Sequence, residues 1–209
     1  MGSDKAFLLH NGRTFISAIT GQASRVSDDV VVMTGKKDAR AFEPFLEGDI
    51  KIFADDWYLS TPLGGIISGL GHVKHAYTAL LGCDAPLVKA EVIDYLFEVV
   101  GGHVAAVPIW EKDDVSTMQP LCAVYRVAEA KKAALQALHD TRQTVKRMVT
   151  LMPDVLFVGV PQLRQVDPSL DSFVDVNTRD EYSALENRTV TPVLVPGTGS
   201  PRRRRGRGG

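Results

Sequence analysis

Residues 49–84 read DIKIFADDWYLSTPLGGIISGLGHVKHAYTALLGCD, and this stretch decides the fold. Two short apolar runs, DIKIFADD (49–56) and AYTALLGCD (76–84), flank the helix-like PLGGIISGLGHVKH (62–75). Neither run alternates strictly between polar and apolar residues. A strand that is apolar at successive positions is covered on both faces, as in a parallel sheet held between helices. Pro62 suits the first turn of a helix, where a missing N–H is no loss. The stretch therefore reads as strand, crossover helix, strand.

Working outward, the same alternation continues. Further strands are expected at 29–36, at HVAAVPIW (103–110), at LCAVYRV (121–127) and at DVLFVGV (154–160). Helices are expected in TFISAITGQASRV, ARAFEPFL, KAEVIDYLFEVV, AEAKKAALQALHD and RQTVKRMVTLM. This order predicts an α/β fold: one open, mostly parallel sheet in three layers with right-handed crossovers. No fixed-period repeat interrupts it. With 209 residues and 44% apolar content, a single domain over 1–195 is expected. VPGTGSPRRRRGRGG differs in kind, and residues 196–209 are expected to form a disordered Arg/Gly-rich tail.

Charge and composition narrow the function. Twenty-four basic residues against 25 acidic ones leave a net charge of −1, so the chain as a whole is not expected to bind nucleic acid. The arginine run could touch an anionic surface, but a solvated tail is the simpler reading. Cys83 and Cys122 lie in apolar stretches and are expected as buried free thiols. No run reaches the roughly 18–20 apolar residues of a membrane span, and no signal peptide opens the chain. Met1-Gly2 suggests myristoylation, but Ala6 stands where that motif wants Ser or Thr. A cytoplasmic protein is expected. The five histidines have no ligand spacing, so zinc is not expected.

In open α/β sheets ligands bind at the carboxyl ends of the strands. Two such ends carry carboxylates: Asp55-Asp56 after the 49–56 run, and Asp84 after the 76–84 run. Carboxylates converging there could hold Mg²⁺, which takes one or two and is completed by water and substrate phosphate. The plainer alternative is that each is a helix cap or turn residue. Gly64-Gly65 follow, where a helix start stripped of side chains could admit a nucleotide or simply pack tightly on the sheet.

Taken in order, MGSDKAFL, TPLGGIISGL, GCDAPLV, AVPIW, QPLCAVYR and FVDVNTRDEYSAL resemble the segments of the molybdenum cofactor guanylyltransferases, within the nucleotidyltransferase-like α/β fold. The resemblance runs over nearly the whole chain. It implies Mg²⁺-dependent transfer of GMP from GTP onto the phosphate of molybdopterin, with release of pyrophosphate. It also implies contacts with molybdenum-cofactor-handling proteins or apo-molybdoenzymes. By resemblance, Asp84 is the magnesium ligand and Lys5 neutralises GTP phosphate. Asp55 or Asp56 lies by the ribose or base, and Gly65 lets the nucleotide approach. Asn177, Asp175 and Gln119 fall on the acceptor side, with Tyr125 in the same segment as Gln119. Positioning and charge neutralisation are what nucleotidyl transfer asks of a protein, and these residue types supply both.

The chain departs from the family pattern in places. Thr61 replaces a Gly, Gly64 an Ala, and Asp175 the first Asn of the closing motif. Asp175 puts negative charge where an anionic acceptor docks, which keeps open CTP as nucleotide or another phosphorylated metabolite as acceptor. MGSDKAFL matches only the last part of the family's N-terminal signature. The family's first strand and Gly-rich phosphate loop are expected to be missing here, whether the start is curtailed or the chain is recorded from a downstream Met, and a non-catalytic nucleotide-binding descendant is the further alternative.

Overall fold

A computed structural model describes residues 4–55, 61–112 and 115–188. After a 3₁₀ turn at Lys5–Phe7, β1 (Leu9–His10) and β2 (Arg13–Thr14) form a tight hairpin. Its corner is Asn11-Gly12, with φ of 52° and 76°, the left-handed pair that such a two-residue turn requires. The Thr14 hydroxyl then caps α1 (Phe15–Ala23), accepting from the Ser17 N–H at 3.3 Å. β3 (Val30–Met33) and β4 (Ile50–Phe53) follow, then α2 (Pro62–Gly69), β5 (Tyr77–Leu81) and α3 (Ala90–Val99). β6 (Ala105–Lys112), β7 (Val115–Met118) and β8 (Cys122–Arg126) form an antiparallel set. The chain continues through α4 (Val127–Leu138), α5 (Val145–Thr150), β9 (Val155–Val158), α6 (Val160–Val166) and α7 (Arg179–Arg188).

All six expected strands form, and the fold is a single α/β domain with helices on both sheet faces. The apolar runs are explained by their surroundings. In β8, Ala123 and Tyr125 face a core built with α2, α4 and α5, while Cys122 and Val124 face a second core with α1, α3 and α6. Burial on both faces leaves no position for a polar residue.

The sheet is more mixed than the sequence predicts. β8 inserts antiparallel between β5 and β6, and β9 pairs parallel with the other edge of β6. ARAFEPFL does not form the expected helix. It makes two 3₁₀ turns, Ala39–Ala41 and Glu43–Phe45, the first capped by Asp38. Pro44 cannot supply a helical N–H, and Phe42 and Phe45 instead pack against Phe7 at 4.8 and 5.1 Å. β3 and β4 pair only with each other, as a parallel ribbon apart from the five-stranded sheet. Among the described residues no strand pairs β3 with β5.

Candidate active site

The carboxyl ends of β3, β4 and β5 open on one edge of the molecule, around a cavity of about 530 Å³. Its wall is Thr34, Gly35 and Lys37 after β3, Asp55 after β4, and Pro62 at the start of α2. Gly35 takes φ 67°, a turn that lets the chain bend away from β3. The Gly35 carbonyl accepts from the Asp55 N–H at 2.8 Å, which ties the two strand ends together. Gly65 lies behind Asp55: a Cβ there would sit 3.1 Å from Asp55 Oδ2. Close packing on Asp55 is thus one reason for a glycine here. Asp56 lies outside the described residues.

A second group gathers at the end of β5. The Asp84 carbonyl accepts from the Val176 N–H at 2.8 Å, which draws the closing segment 175–178 against the strand end. Lys5 Nζ donates to Asn177 Oδ1 at 2.6 Å, joining the two termini of the described chain. Asn177 is itself held from behind, because Glu181 Oε2 accepts from the N–H groups of Asn177 and Thr178 at 2.7 and 2.8 Å. This is a capping arrangement at the start of α7, completed by Glu181 N–H on Thr178 Oγ1 at 3.2 Å. Asp84, Asp175, Asn177 and Lys5 therefore belong to one cluster. Burial and the nearby charge of Asp84 push the Asp175 carboxyl up to about 6, with Lys5 opposing and Glu181 adding.

Gln119 sits in the turn beside this cluster, its N–H on the Pro108 carbonyl at 2.9 Å. Two residues on, the Leu121 carbonyl accepts from Gly82 N–H at 2.8 Å. Tyr125 does not face the opening. Its side chain is fully buried, and its hydroxyl donates to the Pro120 carbonyl at 2.8 Å, bracing the turn that carries Gln119. Both cysteines are free, as expected, but only Cys122 is buried; there burial pushes the thiol up to about 12. Cys83 is exposed at the mouth, a departure from the expected buried thiol that follows from its place just beyond the strand. Sequence reading missed Lys37, which pairs with Asp4 at the cavity wall. The strand-end rule applied to Gly35-Lys36-Lys37 after β3 was the signal that could have found it.

Residues 1–153 match the family described as MobA-like NTP transferase domain. Over 198 residues the chain is 31% identical to a probable molybdenum cofactor guanylyltransferase of Methanosarcina acetivorans, covering 91% of this chain and 85% of that one. Another relative, a molybdenum cofactor guanylyltransferase of Desulfosudis oleivorans, is 30% identical across 88% of this chain and 87% of its own. Among solved structures, molybdopterin-guanine dinucleotide biosynthesis protein A from Archaeoglobus fulgidus superposes with a TM-score of 0.72. It is 22% identical, with 90% of this chain and 91% of that chain covered. The 4-diphosphocytidyl-2C-methyl-D-erythritol synthase of Anaerococcus prevotii shares the fold at the same TM-score, 0.72, with 11% identity and coverage of 90% and 91%. No helix among the described residues is long and apolar enough to cross a membrane. The chain belongs to the MobA-like NTP transferase family and is a nucleotidyltransferase.

Proposed function

We propose that this chain works in molybdenum cofactor synthesis, transferring GMP from GTP to molybdopterin and releasing pyrophosphate. The observation that carries the reading is the convergence of Lys5, Asp84, Asp175 and Asn177 from opposite ends of the sequence beside the Asp55 cavity. The relatives' names supply the nucleotide and the acceptor. An oxygen of the molybdopterin phosphate attacks the α-phosphorus of GTP, and the bond from that phosphorus to the bridging oxygen of the β-phosphate breaks. Lys5 offsets phosphate charge, Asp55 meets the ribose or base, and Asn177 with Gln119 orients the acceptor. Gly65, packed on Asp55, keeps the approach to the start of α2 free of side chains.

The residues present suit Mg²⁺. The Asp84 carboxylate lies near enough to raise the Asp175 carboxyl, a like-charge opposition that a cation relieves. The described residues contain no cluster of three or more ligating side chains, and Mg²⁺ at phosphate sites needs only one or two carboxylates. Asp84 would hold the Mg²⁺, which would supply neutralisation of phosphate charge during the transfer.

The test is pyrophosphate release with GTP or CTP, with and without molybdopterin. Release is expected only with GTP, Mg²⁺ and acceptor together. Release with CTP alone overturns the guanylyl assignment. Release with GTP and a different phosphorylated acceptor favours the second reading, which Asp175 supports by placing a carboxylate on the acceptor side.

A further inference from the structure

A buried carboxylate outside the Asp84 cluster holds both halves of that cluster from behind. Asp167 follows α6 and is wholly buried. Its N–H donates to the Leu163 carbonyl at 2.9 Å, and Leu163 lies in one core with Val92 and Leu96 of α3. Asp167 Oδ1 accepts from Lys89 Nζ at 2.5 Å and from Ser169 Oγ at 3.3 Å, while Oδ2 accepts from the Ser172 N–H at 2.9 Å. Burial by itself raises such a carboxyl, but the donors from Lys89 and Ser172 outweigh it and hold Asp167 below the usual carboxylate range.

These bonds join the two segments that carry the proposed site. Lys89 stands at the start of α3, five residues after Asp84, and Ser172 stands five residues before Asn177. The Lys89 N–H donates to Ser172 Oγ at 3.1 Å, and the Val176 N–H donates to the Asp84 carbonyl at 2.8 Å. Segments 84–89 and 172–176 therefore lie side by side in opposite directions, tied at both ends. Asp171 adds a further hold, with Oδ2 3.6 Å from Lys89 Nζ and Oδ1 3.4 Å from Arg188 Nη1. The helix α7 is thus fixed at its start by Glu181 and at its end by Arg188.

The backbone between Asp167 and Ser172 is bent to make these contacts. Leu170 takes φ 57°, a left-handed conformation that a bulky side chain rarely adopts. Such strain persists only where the surroundings over-determine it. Here the Asp167 carbonyl accepts from the Leu170 N–H at 3.0 Å, and the leucine packs on the same core as Leu163.

We propose that Lys89 and Asp167 are a positioning pair for the transfer, setting through Ser172 and Val176 where Asp175 and Asn177 stand relative to Asp84. They act through those ties rather than on substrate. The kinetic consequence rests on the guanylyl reading, whereas the placement of the backbone does not.

A matched pair of variants tests it. Asp29, its side chain also buried and paired with a lysine, Lys51, lies at the amino ends of β3 and β5, where it accepts from the Lys74 N–H at 2.6 Å. Lys89→Met and Lys51→Met each strip one buried carboxylate of its ammonium, and both are expected to lower the thermal midpoint. Only Lys89→Met is expected to cut kcat for pyrophosphate release from GTP by at least about tenfold, with KM for GTP within about twofold. It should also speed amide exchange at Val176 by at least about tenfold over Lys51→Met. Lys89→Arg keeps a charged donor on Asp167 and is expected to recover kcat to within about threefold of the parent. Should Lys89→Met fail to fold, Ser172→Ala cuts one tie, spares the ion pair and is expected to show the same split at about threefold. The proposal is overturned if the two Met variants lose kcat equally, or if Val176 exchanges as in the parent. A parent that releases no pyrophosphate from GTP sinks the guanylyl reading instead, and the Val176 amide then decides whether the pair places the closing segment.

Discussion

Gly82 has ordinary backbone angles, yet an added Cβ would lie 2.5 Å from Asp84 Oδ1 and 3.4 Å from Leu121 Cβ. The glycine is there because the Asp84 carboxylate folds back over the strand end. Gly82→Ala is expected to push that carboxylate aside and cut pyrophosphate release by at least about tenfold, while the thermal midpoint moves by only a few degrees. An equal loss of fold and activity would instead make Gly82 a packing residue alone. Asp175 makes a prediction about pH. Its carboxyl titrates near 6 in the fold against 3.8 in the free state, so the native protein holds more protons between those values. Its contribution to stability is therefore full below 3.8 and lost as pH rises through about 6. Asp175→Asn should be more stable than the parent at pH 7 by roughly 1 kcal/mol, partial solvent screening keeping the gain small, and the gain should vanish in urea melts below pH 3.8. Asp84 and Asp55 were legible in the sequence because a carboxylate directly after an apolar strand marks a strand end. Gly82 and Lys37 were not, since their meaning comes from contacts with Asp84 and Asp4 rather than from any spacing.

Among the elements, β8 shows what periodicity reveals and what it hides. CAVYR reads as a buried strand because every side chain is covered, but nothing in it says that it runs against its neighbours between β5 and β6. Strand order is a long-range property, and local pattern carries no record of it. The short hairpin β1–β2 is likewise written in Asn11-Gly12 but too brief to stand out as strands. Tyr125 anchors the β8 end of the site through one buried hydrogen bond to Pro120. Tyr125→Phe leaves that carbonyl without its partner and is expected to lower stability by about 1–2 kcal/mol, read by denaturant melts. Because the same bond braces the turn carrying Gln119, the variant should raise KM for the acceptor more than for GTP. Equal effects on both would remove Gln119 from the acceptor side.

For the molecule as a whole, the α/β class and single domain followed from composition and alternation, whereas the division into a ribbon and a five-stranded sheet did not. That division depends on which strands pair, which no strand's own sequence specifies. The arginine run beyond Pro201 adds positive charge to a chain whose net charge is −1. Deleting residues 201–209 is expected to leave pyrophosphate release within about twofold of the parent. A large loss would give the tail a part in substrate capture. The acidic clasp at Asp29, where β3 and β5 begin, has a mechanical consequence. Asp29 is almost wholly buried and grips Lys51 and the backbone of Lys74, so the ribbon is riveted to the main sheet where β3 and β5 begin. Among the described residues no such side-chain clasp joins β3 and β5 toward Met33 and Leu81. β3 and β5 are therefore clasped at their amino ends, away from the cavity of Asp55 at their carboxyl ends, so a ligand entering that cavity would meet the end of the pair that this clasp does not hold.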